Sequence, residues 1–338
     1  MKKVAVAILN WNGADMLSKF LPSVVRFSAG DDIEVCVADN GSMDNSVEVV
    51  SRDFPSVKLI RLEKNYGFAD GYNRVVAMLD AEYVVLLNSD VEVTEGWIDP
   101  IIEFMDNNSD VAACQPKILG YNNKSYFEYA GASGGFIDKY GYPFCRGRIF
   151  DSVEEDKGQY DSPMEVFWAS GAAMFVKRKV YLEAGGLDSS FFAHMEEIDL
   201  CWRLSSRGYR IMCIPQSKVY HVGGATLKKE NPRKTYLNFR NNLLMLYKNL
   251  PSTELGRVMS VRFFLDYIAI LVFILKMDMK NAKAVFKARS DYNKMKTDYT
   301  KVRENNIKEA KNITLQGRYD FSIVLKNKLG ACKKFSDL

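Results

Sequence analysis

The chain has 338 residues, enough to bury a large core, and its 47% hydrophobic and 26% charged content excludes a disordered or fibrous chain. Its net charge of +4 is unevenly held: residues 276–338 carry 16 Lys or Arg against 7 Asp or Glu, and such a basic tail suits a nucleic acid or an anionic membrane surface. The six cysteines show no CxxC spacing, which points to reduced thiols of a cytoplasmic protein, and the apolar run 4–9 is too short for the core of a signal peptide.

Residues 4–9 read as a strand, 14–27 as a helix, 33–38 as a strand and 46–54 as a helix after the turn Asn40-Gly41-Ser42. A strand at 57–62, a helix at 68–79 and a strand at 83–87 follow, giving a βαβαβαβ series. Such alternation implies a parallel sheet with right-handed crossovers. A helix at 97–105 and a strand at 111–118 come next. From 120 to 164 the order is loose and rich in Gly and Tyr, and acidic 151–156 is expected as an exposed loop. A strand-like run at 166–176 is broken by Gly171, a helix at 196–207 is ended by Gly208, and 211–214 and 218–221 read as short closing strands.

Beyond Asn231 the character changes. Tyr236, Phe239, Leu243, Tyr247 and Leu250 fall on one helical stripe with basic residues nearby, the pattern of an amphipathic helix. Residues 258–275 are apolar almost all round, interrupted by Ser260, Arg262 and Asp266. The uninterrupted part, 267–275, falls short of the roughly 20 residues a bilayer span takes, so an interfacial membrane helix is favoured over a packing or dimer helix.

The residues that carry chemistry lie at strand ends. YVVLLNSDV at 83–91 is a buried strand opening onto Asn88, Ser89 and Asp90, and ligands of such sheets sit beyond the strands' carboxyl ends. A carboxylate there can hold a divalent cation that grips a diphosphate, which points to nucleotide-sugar chemistry. Asn10 and Trp11 follow the first strand and Asp39 the second, along the same rim; an aromatic face can stack on a nucleobase, and an Asp can accept from a pyrimidine imide or a ribose hydroxyl. Asp39-Asn40-Gly41 also makes a good turn with no ligand. Asn65 to Asn73 opens a helix with Gly67 and Gly71, but its spacing is not GxGxxG, which weakens a dinucleotide oxidoreductase reading. Glu196, Glu197 and Asp199 crowd three carboxylates into four positions. The helix dipole and an Asp199–Arg203 pair explain Asp199 well and Glu197 poorly. His221, one of two histidines, is either a structural residue or a metal nitrogen.

Taken in order, ILNWNG, ADNGSMDNS, NYGFADGYN, LLNSDV, WASGAAM, GGLDSSFFAHMEEIDLCWR and VYHVGGAT resemble the inverting family 2 glycosyltransferases, in their bacterial rhamnosyltransferase-like branch, over roughly residues 3–250. The resemblance implies an α/β fold of GT-A nucleotide-diphospho-sugar transferase type, with a mostly parallel, Rossmann-like sheet in a catalytic domain at 1–230. Residues 231–338 would then be a helical, basic, membrane-associating appendage. It also implies Mg²⁺ or Mn²⁺ on Asp90 and His221, with Asn10, Trp11, Asp39, Asn65, Gly67, Phe68, Asn73, Asn88, Ser89 and Asp90 around a dTDP- or UDP-linked donor. Trp168 and Gly171 would face the acceptor. Glu197 stands where the family has Asp and is the expected general base, beside Glu196 and Asp199. The amphipathic stripe, the apolar stretch and the basic tail add the expectation of a saccharide or polyprenyl-linked saccharide acceptor, in polysaccharide synthesis at the inner face of the cytoplasmic membrane, with no nucleic acid partner. Two alternatives are a non-catalytic nucleotide-sugar scaffold of the same fold and a sugar-phosphate nucleotidyltransferase. The latter usually carries a Gly-rich basic loop after the first strand, where this chain has WNGADML.

Overall fold

The computed structural model describes residues 1–223, 231–311 and 314–338. In chain order the first half runs β1 (Lys2–Asn10), α1 (Ala14–Phe27), β2 (Ile33–Asp39), α2 (Ser46–Asp53), β3 (Lys58–Arg61), α3 (Gly67–Met78), β4 (Ala81–Asn88), β5 (Val91–Val93), α4 (Asp99–Asn107) and β6 (Val111–Gly120). Then come β7 (Gly135–Asp138), β8 (Pro143–Cys145), β9 (Arg148–Ile149), β10 (Ser152–Val153), β11 (Met164–Glu165), β12 (Ala173–Lys177), α5 (Arg178–Glu183), α6 (Glu196–Ser206) and β13 (Arg210–His221). The remainder is α7 (Pro232–Asn249), α8 (Ser252–Leu275), α9 (Met279–Met295), α10 (Thr300–Glu309), β14 (Arg318–Tyr319) and α11 (Ile323–Lys328).

The main sheet has the order β11-β13-β6-β12-β4-β1-β2-β3, with β5 paired to β13. β3, β2, β1 and β4 are parallel, as the alternation predicts. β12 is antiparallel to both β4 and β6, so β6 again runs with β4, and β13 runs with β6. The two reversals cancel, and the carboxyl ends of β1, β2, β4 and β13 share one rim. Register makes this concrete: Asn10 lies beside Asp39 and Leu9 beside Asn88. Because successive side chains alternate faces, Ala5 and Ala7 belong to the buried cluster that includes α3 and α6, while Val4, Val6 and Ile8 belong to the one that includes α1 and α4. The apolar positions Leu17, Phe20, Leu21 and Val24 give α1 the single buried stripe its spacing predicts.

Four expectations are revised. The loose region 120–164 folds into a second sheet of order β10-β9-β8-β7-β14, whose last strand comes from the tail. Within it the acidic 151–156 segment is not a free loop: buried Glu154 accepts from Tyr160 Oη and from the Phe335 amide. The closing strands expected at 211–214 and 218–221 are one strand, β13, with an irregular register between Ile214 and Lys218. Finally, the helix expected on the 236–250 stripe is there as α7, but it is buried well beyond that stripe. From Asn241 to Leu246 every residue is buried, because the helix is covered by α6, α9 and α10 as well as by the sheet domain. The 231–338 segment thus completes the fold instead of hanging from it. The six cysteines are buried and unpaired.

Candidate active site

The β4 strand ends at Asn88, and the chain turns through Ser89 and Asp90 into β5, which pairs antiparallel with the end of β13 so that Val91 faces His221. This brings Asp90 Oδ1 to 3.1 Å from His221 Nε2, with both residues buried. Asn88 Nδ2 stands 3.4 Å from the same nitrogen. On the other side of the ring Glu128 Oε2 lies 3.4 Å from Nδ1. Gly223, at φ +71, packs against Glu128 so closely that a Cβ would fall 2.5 Å from Oε1; a side chain there would strain the backbone and displace the carboxylate. The neighbouring Gly224 lies outside the described residues. Burial alone would lower the His221 pKa, but the charge of Glu128 and the contact with Asp90 push it up to about 10. Burial likewise opposes the Asp90 charge, yet His221 holds its carboxyl below the usual range.

Among the described residues no three His, Cys, Asp or Glu side chains form a metal cage. The donor set nevertheless fits a hard cation used with a phosphorylated substrate, which takes one or two protein oxygens and completes its shell with phosphate and water. Asp90 Oδ1 and His221 Nε2 converge; a cation held there would take the place of the Nε2 proton that Asp90 otherwise faces, and Glu128 behind Nδ1 is placed to orient the ring, as outer carboxylates do for metal-binding histidines.

Farther along the rim Asn10 is fully buried, its Nδ2 donating to Ser42 Oγ at 3.4 Å while its Oδ1 has no partner. Trp11 beside it is 47% exposed and offers a free aromatic face. Asp39 accepts from the Ser42 amide at 3.0 Å, closing the turn that the Asp-Asn-Gly sequence announces. Asn40 joins that turn to α3, donating to the Gly67 carbonyl at 3.0 Å and accepting from the Tyr66 amide. Asn65 accepts from the Gly67 amide at 2.8 Å. Ser89 closes the rim on the α1 side, its Oγ 3.8 Å from where a Gly13 Cβ would stand.

The carboxylate cluster sits on an unusual backbone. Phe192, His194 and Met195 all have positive φ, at 63°, 72° and 73°, a conformation that costs non-glycine residues on the order of 1 kcal/mol or more each. What holds them is visible: Asn241 Nδ2 of α7 reaches the carbonyls of Phe191, Ala193 and His194 at 2.8–3.0 Å. The Phe192 carbonyl in turn accepts from the Phe68 amide at the start of α3 at 2.8 Å. Gly67, at φ +79, lets the Phe192 ring lie where a Cβ would be 2.6 Å away. The segment delivers Glu196 and Glu197 to the first turn of α6 with both Oε2 atoms buried and unpartnered. Burial pushes the Glu197 carboxyl up to about 7. Burial, and then the Glu197 charge, raise Glu196 well above the carboxylate range. Asp199 differs: burial opposes its charge, but Lys248 and Arg203, each 2.9 Å away, hold its carboxyl low, and Asn249 donates to it at 2.8 Å.

The two halves of the site meet at the start of β12. Gly171 lies against the Phe68 ring and the Glu197 Cβ, while the next residue, Ala172, accepts from the Asn88 amide at 3.0 Å. Glu197, Phe68 and the Asn88–Asp90 turn therefore flank one stretch of chain.

Three expected site residues are committed elsewhere. Asn73 donates to the Leu187 carbonyl at 2.7 Å and accepts from Tyr181 Oη and the Leu187 amide, so it pins the 181–189 segment. Trp168 is 3% exposed, donates to the Phe136 carbonyl at 3.0 Å and lies beneath Gly135, in the core of the second sheet. Asp199 is fully buried and accepts from Arg203, Lys248 and Asn249, so its charge is held by two cations instead of facing the rim. Conversely, Glu128, Asn40 and Asn241 support the site and were not singled out from sequence. Glu128 sits in a stretch without periodicity, and Asn241 and Asn242 stand among the other polar residues of α7, so the sequence carries no clear signal for any of the three.

A sheet of mixed direction with a carboxylate turn at its open rim, an exposed aromatic beside it and a buried carboxylate across β12 is the layout expected of a sugar transferase of the GT-A type. Residues 5–172 match the glycosyl transferase family 2 description. The chain is 26% identical over 231 residues to the N-acetylglucosaminyl-diphospho-decaprenol L-rhamnosyltransferase of Mycobacterium tuberculosis, covering 64% of this chain and 75% of that one. Over 163 residues it is 24% identical to the rhamnosyltransferase WbbL of Escherichia coli K12, covering 46% of this chain and 61% of that one. Among solved structures, GalNAc-T7 with UDP, GalNAc and Mn²⁺ superposes with a TM-score of 0.59 at 14% identity, over 89% of this chain and 57% of that chain, a likeness of fold. The chain belongs to family 2 of the glycosyltransferases, in the rhamnosyltransferase-like branch.

Proposed function

We propose that the enzyme moves rhamnose from a pyrimidine nucleoside diphosphate, dTDP- or UDP-linked, to a hydroxyl of a polyprenyl-linked saccharide, with inversion, at the inner face of the cytoplasmic membrane during surface polysaccharide synthesis. The observation that carries the chemistry is Glu197: a buried carboxylate oxygen without a partner, its pKa lifted to about 7, beside a neighbour, Asp199, that two cations neutralise. A general base works best when its pKa lies near the working pH. Glu197 takes the acceptor hydroxyl's proton as that oxygen bonds to the anomeric carbon. The bond from the anomeric carbon to the diphosphate oxygen breaks in the same step, and the nucleoside diphosphate leaves from the opposite face. Asp90 and His221 would hold Mg²⁺ or Mn²⁺, which when bound neutralises charge on the departing diphosphate. Trp11 stacks on the base and Asp39 accepts from the nucleoside. The sugar and acceptor are supported by the two rhamnosyltransferase relatives, one of which is named for a decaprenol-linked substrate.

A thermal-shift screen of nucleoside diphosphates and nucleotide sugars, each with Mn²⁺, Mg²⁺ or chelator, tests the reading. Stabilisation by dTDP or UDP compounds that chelator removes is expected. No response to any pyrimidine nucleotide from folded protein would overturn it.

A further inference from the structure

Helix α8 is the one helix among the described residues long and apolar enough to cross a membrane, yet only 17% of its most apolar 18-residue stretch is buried. Its inner face consists of Val258, Arg262 and Asp266, spaced four apart. Away from that face Phe264, Ile268, Leu271 and Leu275 recur at helical spacing with exposures of 66, 55, 54 and 74%. The apolar surface continues through Met277 in the turn, 85% exposed, to Phe286 of α9, 59% exposed. Isolated exposed apolar residues are ordinary; a continuous stripe marks an interaction surface.

The inner face cannot leave the protein. Asp266 bonds Arg289 Nη1 at 2.5 Å and lies 3.3 Å from Arg262 Nη2, while Arg262 donates to the Tyr140 carbonyl at 2.9 Å and to Asn242 Oδ1. Pulling α8 into hydrocarbon would strand these charges. The stretch without a charged side chain, 267–275, rises about 13 Å at 1.5 Å per residue, against about 30 Å of hydrocarbon. Around the turn and the first turns of α9, Lys276, Lys280 and Lys283 are exposed and make no ion pair among the described residues. An open pocket of about 420 Å³ between α8 and α9, lined by Met259, Phe263, Tyr292 and Lys296 among others, lies toward the end of the pair away from that turn.

We propose that the α8–α9 edge lies in the plane of an anionic lipid bilayer. The Phe264–Leu275 stripe enters the acyl boundary, and Lys276, Lys280 and Lys283 meet lipid phosphates. Charge decides between this occupant and a second copy of the chain, since self-association through the edge would bring like-charged lysines together.

The test is co-sedimentation of the full chain with phosphatidylcholine vesicles, with and without phosphatidylglycerol. Binding that requires the anionic lipid is expected, weakened about tenfold or more by Lys280→Glu with Lys283→Glu, and to a similar extent by Leu271→Ser with Leu275→Ser. Both double variants should keep the melting temperature of the parent, since the changed side chains are exposed. Three outcomes would overturn the proposal: no binding of the parent chain to anionic vesicles at low salt; binding that survives an alkaline carbonate wash, which means a span; or a lipid-free dimer that Leu271→Ser with Leu275→Ser dissociates. The readout uses neither donor nor acceptor. Failure here removes the membrane placement in the proposed function and leaves its transfer chemistry standing, and loss of the nucleotide response with vesicle binding intact does the reverse.

Discussion

Glu197→Gln separates a catalytic carboxylate from a structural one, because it should cost activity and add stability. The wild-type carboxyl is raised by burial from 4.5 to about 7; at 1.36 kcal/mol per pH unit this is about 3 kcal/mol between its two protonation states. A raised pKa means that the folded protein favours the protonated form. The favourable contribution is fully present below pH 4.5 and is lost as pH rises through 7. At pH 8 the enzyme therefore carries an ionised, buried carboxylate that glutamine does not, and the variant should be more stable there by up to about 3 kcal/mol. With an unfolding entropy of about 2.1 cal/mol/K per residue over 338 residues, that is a rise of about 4 °C in melting temperature. Near pH 4.5 the two curves should converge. Turnover should fall by about 10²- to 10⁴-fold with donor affinity kept. The wild-type kcat/KM should rise with pH through an apparent pKa near 7, a limb the variant lacks. Calorimetry at the two pH values together with a pH–rate profile checks all of this. Undiminished turnover, or a stability difference equal at both pH values, would refute the assignment.

The other expectations are narrower. Asp90→Ala should abolish the metal-dependent part of nucleotide binding, read as the difference in dTDP or UDP affinity by calorimetry with Mn²⁺ and with chelator; equal affinities in the parent and the variant under both conditions would remove Asp90 from the metal role. Asn241→Ala releases three carbonyls of the strained 191–194 segment and should lower kcat tenfold or more, as an order of magnitude, with the donor KM nearly unchanged; a KM effect without a kcat effect would count against a positioning role. Lys248→Met leaves Asp199 with only Arg203 as ion partner and should cost about 3–5 kcal/mol in chemical denaturation, whereas Trp168→Phe should reduce stability without changing the acceptor KM.

The parallel half of the sheet was legible because its strands are short apolar runs alternating with amphipathic helices, a local signal. Asp90 was legible for the same reason: it is the first carboxylate after an apolar strand. Its pairing with His221 depends on β5 reversing to meet β13, 131 residues later, and the resemblance, not periodicity, supplied it. Glu128 could not be found from the chain around it, since the second sheet is made of strands of two to four residues whose pattern is too short to read. Trp168 misled because a tryptophan near an acceptor loop and one beneath a tight glycine look alike in sequence. The α7 stripe gave the helix but not its burial: Leu243 and its neighbours match a one-sided and a core helix equally well, and what decides is the cover supplied by α9, which comes later in the chain.

That cover changes how the C-terminal third relates to catalysis. Asn241 and Asn242 are adjacent on α7. The first holds the carbonyls of the loop that carries Glu196 and Glu197. The second donates to the Gly141 carbonyl and accepts from Arg262 of α8, whose ion partner Asp266 lies on the same inner face. Two consecutive side chains thus tie the loop before Glu196 and Glu197 to the helix that presents the exposed apolar stripe, and the buried charges of Arg262, Asp266 and Arg289 resist their separation. The tail adds a second tie, β14 pairing with β7 and Phe335 packing on Phe136. A chain ending near residue 230 would lose the clamp on a backbone that positive φ angles disfavour, so the catalytic geometry is a property of the whole chain and not of its first 230 residues alone.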